Sequence, residues 1–390
     1  MTELAFGGAR PAPSAPDASM LERWWRGVDQ WTIWAAAGLF LIGLVLGFAA
    51  SPPLAADNGL PPFHYVIRQA VFGVAALGVM VALSMATTAQ ARRLSVLGFA
   101  ACLAAVALLP VLGTDFGKGA VRWYSLGVAS VQPSEFLKPF FAVVIAWLLS
   151  AGTEENGPPG VLLSLLVAAL CAGLLALQPD FGQATLLLAT WGVAYFVAGA
   201  PAPLLIALGL GVLGAGYAAY LNSAHFASRI DAYLAEGVEP LTQLAYAAHA
   251  ITAGGLFGVG VGEGAVKWSL PDAHTDFIVA VAAEEYGLVF CLVLIALFAV
   301  IVSRAMIRLL AERDAFRRLA GVALAAQFGM QALVNLGVAV RLVPAKGMTL
   351  PLVSYGGSSV LGVAIGLGLL LAFTRRRPRN CVTDLMGARA

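Results

Sequence analysis

Charge-free apolar intervals govern what this chain can fold into. An ionised side chain at the centre of a bilayer is costly, and a spanning helix needs roughly 20 apolar residues, so gaps between charges mark candidate spans. Ten such spans emerge: Asp29 to Asp57, Arg68 to Arg92, Arg93 to Asp115, Lys138 to Glu154, Glu155 to Asp180, two from Asp180 to Arg229 divided at Gly199–Pro203, Glu285 to Arg304, Leu319 to Val340, and Leu350 to Phe373. Only 11% of the residues are charged and 43 Gly and 20 Pro fall among apolar stretches, which sets the chain apart from soluble globular domains. The expected fold is therefore all-α: a polytopic integral membrane protein with about ten transmembrane helices. The four Cys, far apart, form neither a zinc spacing nor a disulfide ladder, and a formal net charge of +2 gives no nucleic-acid surface.

Across these spans, 15 of the 23 Lys and Arg fall on one side, including Arg92, Arg304, Arg308, Arg317 and Arg375 to Arg377. Cytoplasmic loops retain positive charge, which puts both termini in the cytoplasm and makes the other side the outer face. Residues 1–28 read as a disordered cytoplasmic tail without a cleavable signal, 29–373 as the membrane domain, and 374–390 as a basic cytoplasmic tail. The longest connection, 222–276, is a large outer loop between the seventh and eighth spans. Its stretch Ala250–Gly258, too short and Gly-rich to span, suits a re-entrant or interfacial helix.

Polar residues collect on the outer side. Asp276 stands at a membrane boundary behind His274 and Thr275, where a partly desolvated carboxylate can act as a general base. The simpler reading, stronger on local pattern, is that Thr275 or Asp276 caps the helix that follows. Glu284 and Glu285 lie inside the eighth span, where acids usually face a cavity or a partner. Glu135 and Lys138 are spaced for a local ion pair, with Ser134 a possible cap. Arg122 with Lys138 suits phosphate or pyrophosphate, although snorkelling and ion pairing explain each base separately. Asp180 is nearly alone as a charge in a long apolar region. Lys346 to Ser359, including Ser354 and Ser358, forms a polar, glycine-rich break that either packs helices closely or presents backbone N–H groups to an anion.

His274-Thr275-Asp276-Phe277, Gln132-Pro133-Ser134-Glu135 with Lys138, Gln178-Pro179-Asp180 and Pro351 to Ser359 together resemble the SEDS family (shape, elongation, division and sporulation), over nearly the whole chain. Lys346 to Pro351 resembles its division branch more than its elongation branch. The resemblance implies a bacterial peptidoglycan glycosyltransferase of the inner membrane that polymerises lipid II, an undecaprenyl-pyrophosphate-linked disaccharide-pentapeptide, during septal wall synthesis. It implies a class B penicillin-binding protein and other division proteins as partners, and no nucleic acid. Asp276 becomes the essential acid. Arg122, Lys138, Glu135, Lys346, Ser354 and Ser358 become candidates for substrate or pyrophosphate binding, supported by His274, Thr275, Asp180, Glu284 and Glu285. A divalent cation, Mg2+ or Mn2+, is associated with such chemistry, but no ligand set defines a site. Ten spans with intramembrane acids also suit a precursor flippase or transporter, and a scaffold that only recruits division partners is a third reading.

Overall fold

The computed structural model describes residues 19–376, apart from 116–119, 128–129, 223, 225–226, 229, 232–242, 271 and 345–346. Twelve α-helices are labelled here: α1 (Met20–Gly27), α2 (Gln30–Asp57), α3 (His64–Ser84), α4 (Thr88–Leu112), α5 (Pro133–Ala151), α6 (Gly160–Leu177), α7 (Phe181–Val197), α8 (Ala202–Asn222), α9 (Gln243–Gly254), α10 (Ile278–Leu310), α11 (Ala315–Ala339) and α12 (Gly357–Thr374). Among the described residues, nine helices are long and apolar enough to cross a membrane. The tenth span, α7, is an apolar helix of 17 residues. All ten intervals free of charge thus become helices, and the chain is a multi-pass membrane protein. The only paired strands among the described residues form a small hairpin, β1 (Tyr124–Ser125) against antiparallel β2 (Ser130–Val131).

Helices α5, α11 and α12 form the centre, and α8 packs at the edge, on α7. Leu137, Phe141, Ile145, Ala323, Ala325, Leu367 and Leu371 are buried there. Ile206, Leu210 and Leu213 of α8 are exposed, as lipid-facing side chains should be. Gly362 lets α12 approach α5 closely, since a Cβ on it would stand 2.4 Å from the carbonyl oxygen of Glu135.

Helix α10 is broken. Gly287 has φ 80° and ψ −177°, which divides an outer segment, Ile278 to Tyr286, from the long inner one. Backbone from the loop after α9 fills the gap. Val259 and Gly260 N–H donate to the Glu284 and Glu285 carbonyls (2.9 and 3.2 Å), and Leu288 and Val289 N–H donate to Gly255 and Leu256 (3.0 and 3.2 Å). An unpaired backbone group costs several kcal/mol in hydrocarbon, so a helix can break here only because this loop supplies partners. Helix α9 begins seven residues before the expected Ala250 and packs on α10.

The opposite, Arg-rich end is tied by Asp29. This carboxylate, 2% exposed, pairs with Arg304 (2.9 Å) and Arg308 (3.2 Å). Arg308 also donates to the Gly27 and Thr374 carbonyls, and Arg376 N–H donates to Gly27. The two ends of the described chain therefore meet on one side, as the count of spans requires. The segment up to Gly27, expected to lack structure, carries α1 from Met20, because Ser19 Oγ caps Glu22 N–H and the helix sorts its polar and apolar residues onto opposite faces. Residues 1–18 and 377–390 of the expected tails lie outside the described residues.

Candidate active site

A strained turn presents Asp276. Asp272 has φ 55°, the left-handed region that few side chains adopt, and its carbonyl oxygen collects the N–H groups of Thr275 (3.0 Å), Asp276 (3.1 Å) and Phe277 (3.4 Å) together with the Thr275 hydroxyl (3.2 Å). The Asp276 carbonyl accepts from Asn335 Nδ2 at 3.0 Å. Its backbone is thus held at both ends while the residue stays partly exposed. The capping expectation is corrected: Phe277 is the N-cap of α10, with no side-chain cap bond, because the turn runs on past Thr275 and Asp276 before the helix begins. The Asp276 carboxylate lies beside Gly347, where a Cβ would stand 3.6 Å from Oδ2.

The segment from Gly347 to Gly356 packs on this turn. Ser354 Oγ accepts from Leu350 N–H (2.9 Å) and donates to the Thr275 carbonyl (2.5 Å), and Tyr355 N–H donates to the His274 carbonyl (3.0 Å). Buried Gln69 of α3 donates to the Val353 carbonyl at 3.0 Å. Ser358 Oγ donates to the Ser130 carbonyl and accepts from Gln132 N–H. Both serines are loop struts, with hydroxyls already engaged by backbone. Lys346 lies outside the described residues. The His274 ring sits 6.1 Å from Tyr65 and 5.8 Å from Tyr355. Burial pushes the Tyr355 phenol up, against the pull of the Arg68 cation.

The expected local pair is present and enclosed. Lys138 Nζ lies 2.9 Å from Glu135, with the side chains 4% and 5% exposed. Lys138 also donates to Gln331 Oε1 (2.9 Å), and Gln183 Nε2 donates to Glu135 (2.7 Å). Arg122 donates to the Gln178 and Pro179 carbonyls (3.0 and 2.6 Å), fixing the turn between α6 and α7. Asp180 caps α7 weakly through Gln183 N–H at 3.5 Å and accepts from Gln132 at 3.3 Å. Burial pushes its carboxyl up, with Arg122, the Gln183 N–H and Lys138 opposing and Glu135 adding to the rise. Arg122 and Lys138 thus act on a common carboxylate, but each already has protein partners. Ser134 is not the cap of α5: Gln132 holds that position, and Ser134 Oγ is buried with no partner.

Glu284 and Glu285 stand just before the break in α10, within the helix Ile278–Leu310. Glu284 Oε1 accepts from Ala265 and Val266 N–H (2.8 and 2.9 Å). Glu285 pairs with buried Lys267 (2.5 Å) and accepts from Gly262 N–H (3.1 Å). They pin the loop that fills the helix break, and their bonds are to that loop rather than to the Asp276 turn.

Two clusters result, one around Asp276 and one around Glu135, linked by Gln331, which accepts from Lys138 and donates to the Thr349 carbonyl at 3.0 Å. Sequence reasoning missed Gln331, Asn335, Gln327, Gln69 and Arg68. A signal existed for three of them: Gln327, Gln331 and Asn335 recur every four residues, so they share one face of an apolar helix. Among the described residues no three His, Cys, Asp or Glu come together as a metal cage.

The chain matches a family described as cell cycle protein, FtsW/RodA/SpoVE, over residues 30–378. It is 40% identical over 364 residues to the probable peptidoglycan glycosyltransferase FtsW of Caulobacter vibrioides, covering 93% of each chain. It is 37% identical to the protein of the same name from Halorhodospira halophila, covering 100% of this chain and 98% of that one. A solved chain from a peptidoglycan synthase complex that coordinates polymerization and crosslinking superposes with TM-score 0.73 at 30% identity, covering 89% of this chain and 97% of that one. The rod shape determining protein RodA of Thermus thermophilus superposes with TM-score 0.67 at 29% identity, covering 90% and 97%.

Proposed function

Given that this chain belongs to the FtsW/RodA/SpoVE family of cell cycle proteins, we propose that it is a peptidoglycan glycosyltransferase of the division type, polymerising lipid II at the outer face of the inner membrane during septal wall synthesis. Both termini then lie in the cytoplasm, where the Arg excess belongs. A class B penicillin-binding protein supplies crosslinking beside it, in keeping with the synthase complex whose chain it resembles.

The observation that carries this reading is Asp276: a partly exposed carboxylate on a strained outer turn whose backbone is fixed by Asp272 and Asn335. A rigidly held base suits proton abstraction, because catalysis depends on geometry fixed before reaction. In the proposed step Asp276 takes the proton of an acceptor sugar hydroxyl. The hydroxyl oxygen bonds to the anomeric carbon of the donor sugar as the bond from that carbon to the pyrophosphate oxygen breaks, and the electron pair leaves on undecaprenyl pyrophosphate. Arg68, near the start of α3, carries a positive charge that acts on Tyr355, next to His274, and is the proposed partner of the departing anion. Arg122 braces the α6–α7 turn, and Lys138 with Glu135 forms the floor joining α5 to α11.

Reconstitution with the partner and lipid II tests this reading against a flippase. Glycan strands in the product establish a polymerase. Transbilayer movement of unaltered lipid II, with no strands formed, establishes transport instead.

A further inference from the structure

Asn335 is 1% exposed and donates twice from one nitrogen, to the Asp276 carbonyl at 3.0 Å and to the Met348 carbonyl at 2.6 Å. Those two bonds use both hydrogens of its amide. They also join two segments that approach one another at Asp276 Oδ2 and Gly347. The other amide atom, Oδ1, is buried with no partner. An unsatisfied buried acceptor costs about 1–3 kcal/mol, so an apolar side chain would pack here with less penalty unless the two donated bonds matter. One turn earlier on the same face, Gln331 donates to the Thr349 carbonyl, and one turn before that Gln327 donates to the Lys138 carbonyl at 3.2 Å. Of these three amides on α11, Gln331 and Asn335 hold the 347–354 segment and Gln327 holds α5, and Asn335 alone also reaches the Asp276 turn.

We infer that Asn335 is a positioning residue, which sets the Asp276 carboxylate against the Gly347 segment by donating to both backbones at once. The inference rests on the proposed glycosyltransferase reading, in which Asp276 is the base. A misplacement of about 1 Å at a reacting group costs roughly 100-fold in rate. Loss of Asn335 should therefore appear in kcat and not in substrate binding. Asn335→Asp keeps the shape and removes both donors while ionised. Once protonated it regains one O–H donor and can restore one of the two bonds.

The experiment uses the full chain in complex with its partner. Lipid II polymerisation is followed for wild type, Asn335→Ala and Asn335→Asp across pH, alongside thermal unfolding, complex yield, and backbone hydrogen exchange of segments 272–278 and 347–354. Asn335→Ala is expected to lose about 10- to 100-fold in kcat with KM within about twofold. It should lose exchange protection in both segments together, with complex yield intact. Asn335→Asp should gain activity relative to wild type as pH falls. Unchanged kcat, a parallel loss of kcat, KM and complex yield, or an Asn335→Asp ratio flat with pH each overturns the inference. Hydrogen exchange needs no turnover. If wild type makes no glycan, the glycosyltransferase reading fails on its own, and protection unchanged in Asn335→Ala still overturns the positioning role.

Discussion

Removing the Lys138 charge alone should be far worse than removing it together with Glu135. The pair is 2.9 Å apart with side chains 4% and 5% exposed, so neither charge has water to fall back on. Breaking one partner of a buried pair typically costs about 3–5 kcal/mol, because the remaining charge is stranded. In Lys138→Met the Glu135 carboxylate keeps only the 2.7 Å bond from Gln183. The double variant Glu135→Gln/Lys138→Met has no stranded charge, and the amide oxygen introduced at position 135 can still accept from Gln183. What stays lost is the hydrogen bond to Gln331 Oε1, about 1–3 kcal/mol if that oxygen finds no other donor. The double variant should therefore recover about 2 kcal/mol relative to Lys138→Met, at the upper end of coupling energies seen for contacting pairs. Denaturant or thermal unfolding of the detergent-solubilised complex measures it. Equal instability of the single and double variants would rule out a stranded charge as the cause. A stable but inactive double variant would show that Lys138 acts on substrate charge instead of holding the floor.

Three further outcomes follow from the geometry. Gly287→Ala should destabilise by about 1–3 kcal/mol through its positive φ alone, and by more because a Cβ there would stand 2.4 Å from the Leu256 carbonyl; unfolding measurements check this, and wild-type stability would argue against the break at Gly287. Burial alone would raise the Asp29 carboxyl, but Arg304, Thr32 and Arg308 together hold it below the ordinary 3.8, so its ionised form stabilises the fold. Asp29→Asn should therefore be less stable at neutral pH, with the gap to wild type closing as pH falls through 3.8 and below. Asp180 runs the other way: burial raises its carboxyl above 3.8, so stability falls as pH rises from 3.8 to the folded value and the full cost persists above it. Asp180→Asn should be as stable as wild type or more so at neutral pH, and any advantage should vanish below 3.8 in pH-dependent melting.

The spans were legible because the bilayer excludes charge residue by residue, a rule that needs no knowledge of neighbours. The Glu135–Lys138 pair was legible for a related reason, its partners lying within one helical turn. What sequence could not show is pairing across the fold. Lys138 meets Gln331 across 193 residues, and Asn335 meets Asp276 across 59, so the four-residue spacing marks a polar face on the helix but not the partners it meets. Ser354 and Ser358 have the composition of an anion loop, yet their hydroxyls go to backbone at Thr275 and Ser130. Glu284 and Glu285 read as acids facing a cavity or a partner, and their partners turn out to be the Gly262 to Lys267 loop, which no local pattern identifies.

If the chain is a glycan polymerase and Asp276 takes part in its chemistry, the carboxylate should be indispensable to strand formation. The decisive comparison is lipid II polymerisation by wild type and Asp276→Asn, each purified with its class B partner, at matched folding and complex yield, with and without added Mg2+ or Mn2+. Glycan strands are expected from wild type and none from Asp276→Asn. Strands from both at equal rates would remove Asp276 from the reaction, and strands from neither, with the complex intact, would overturn the polymerase itself.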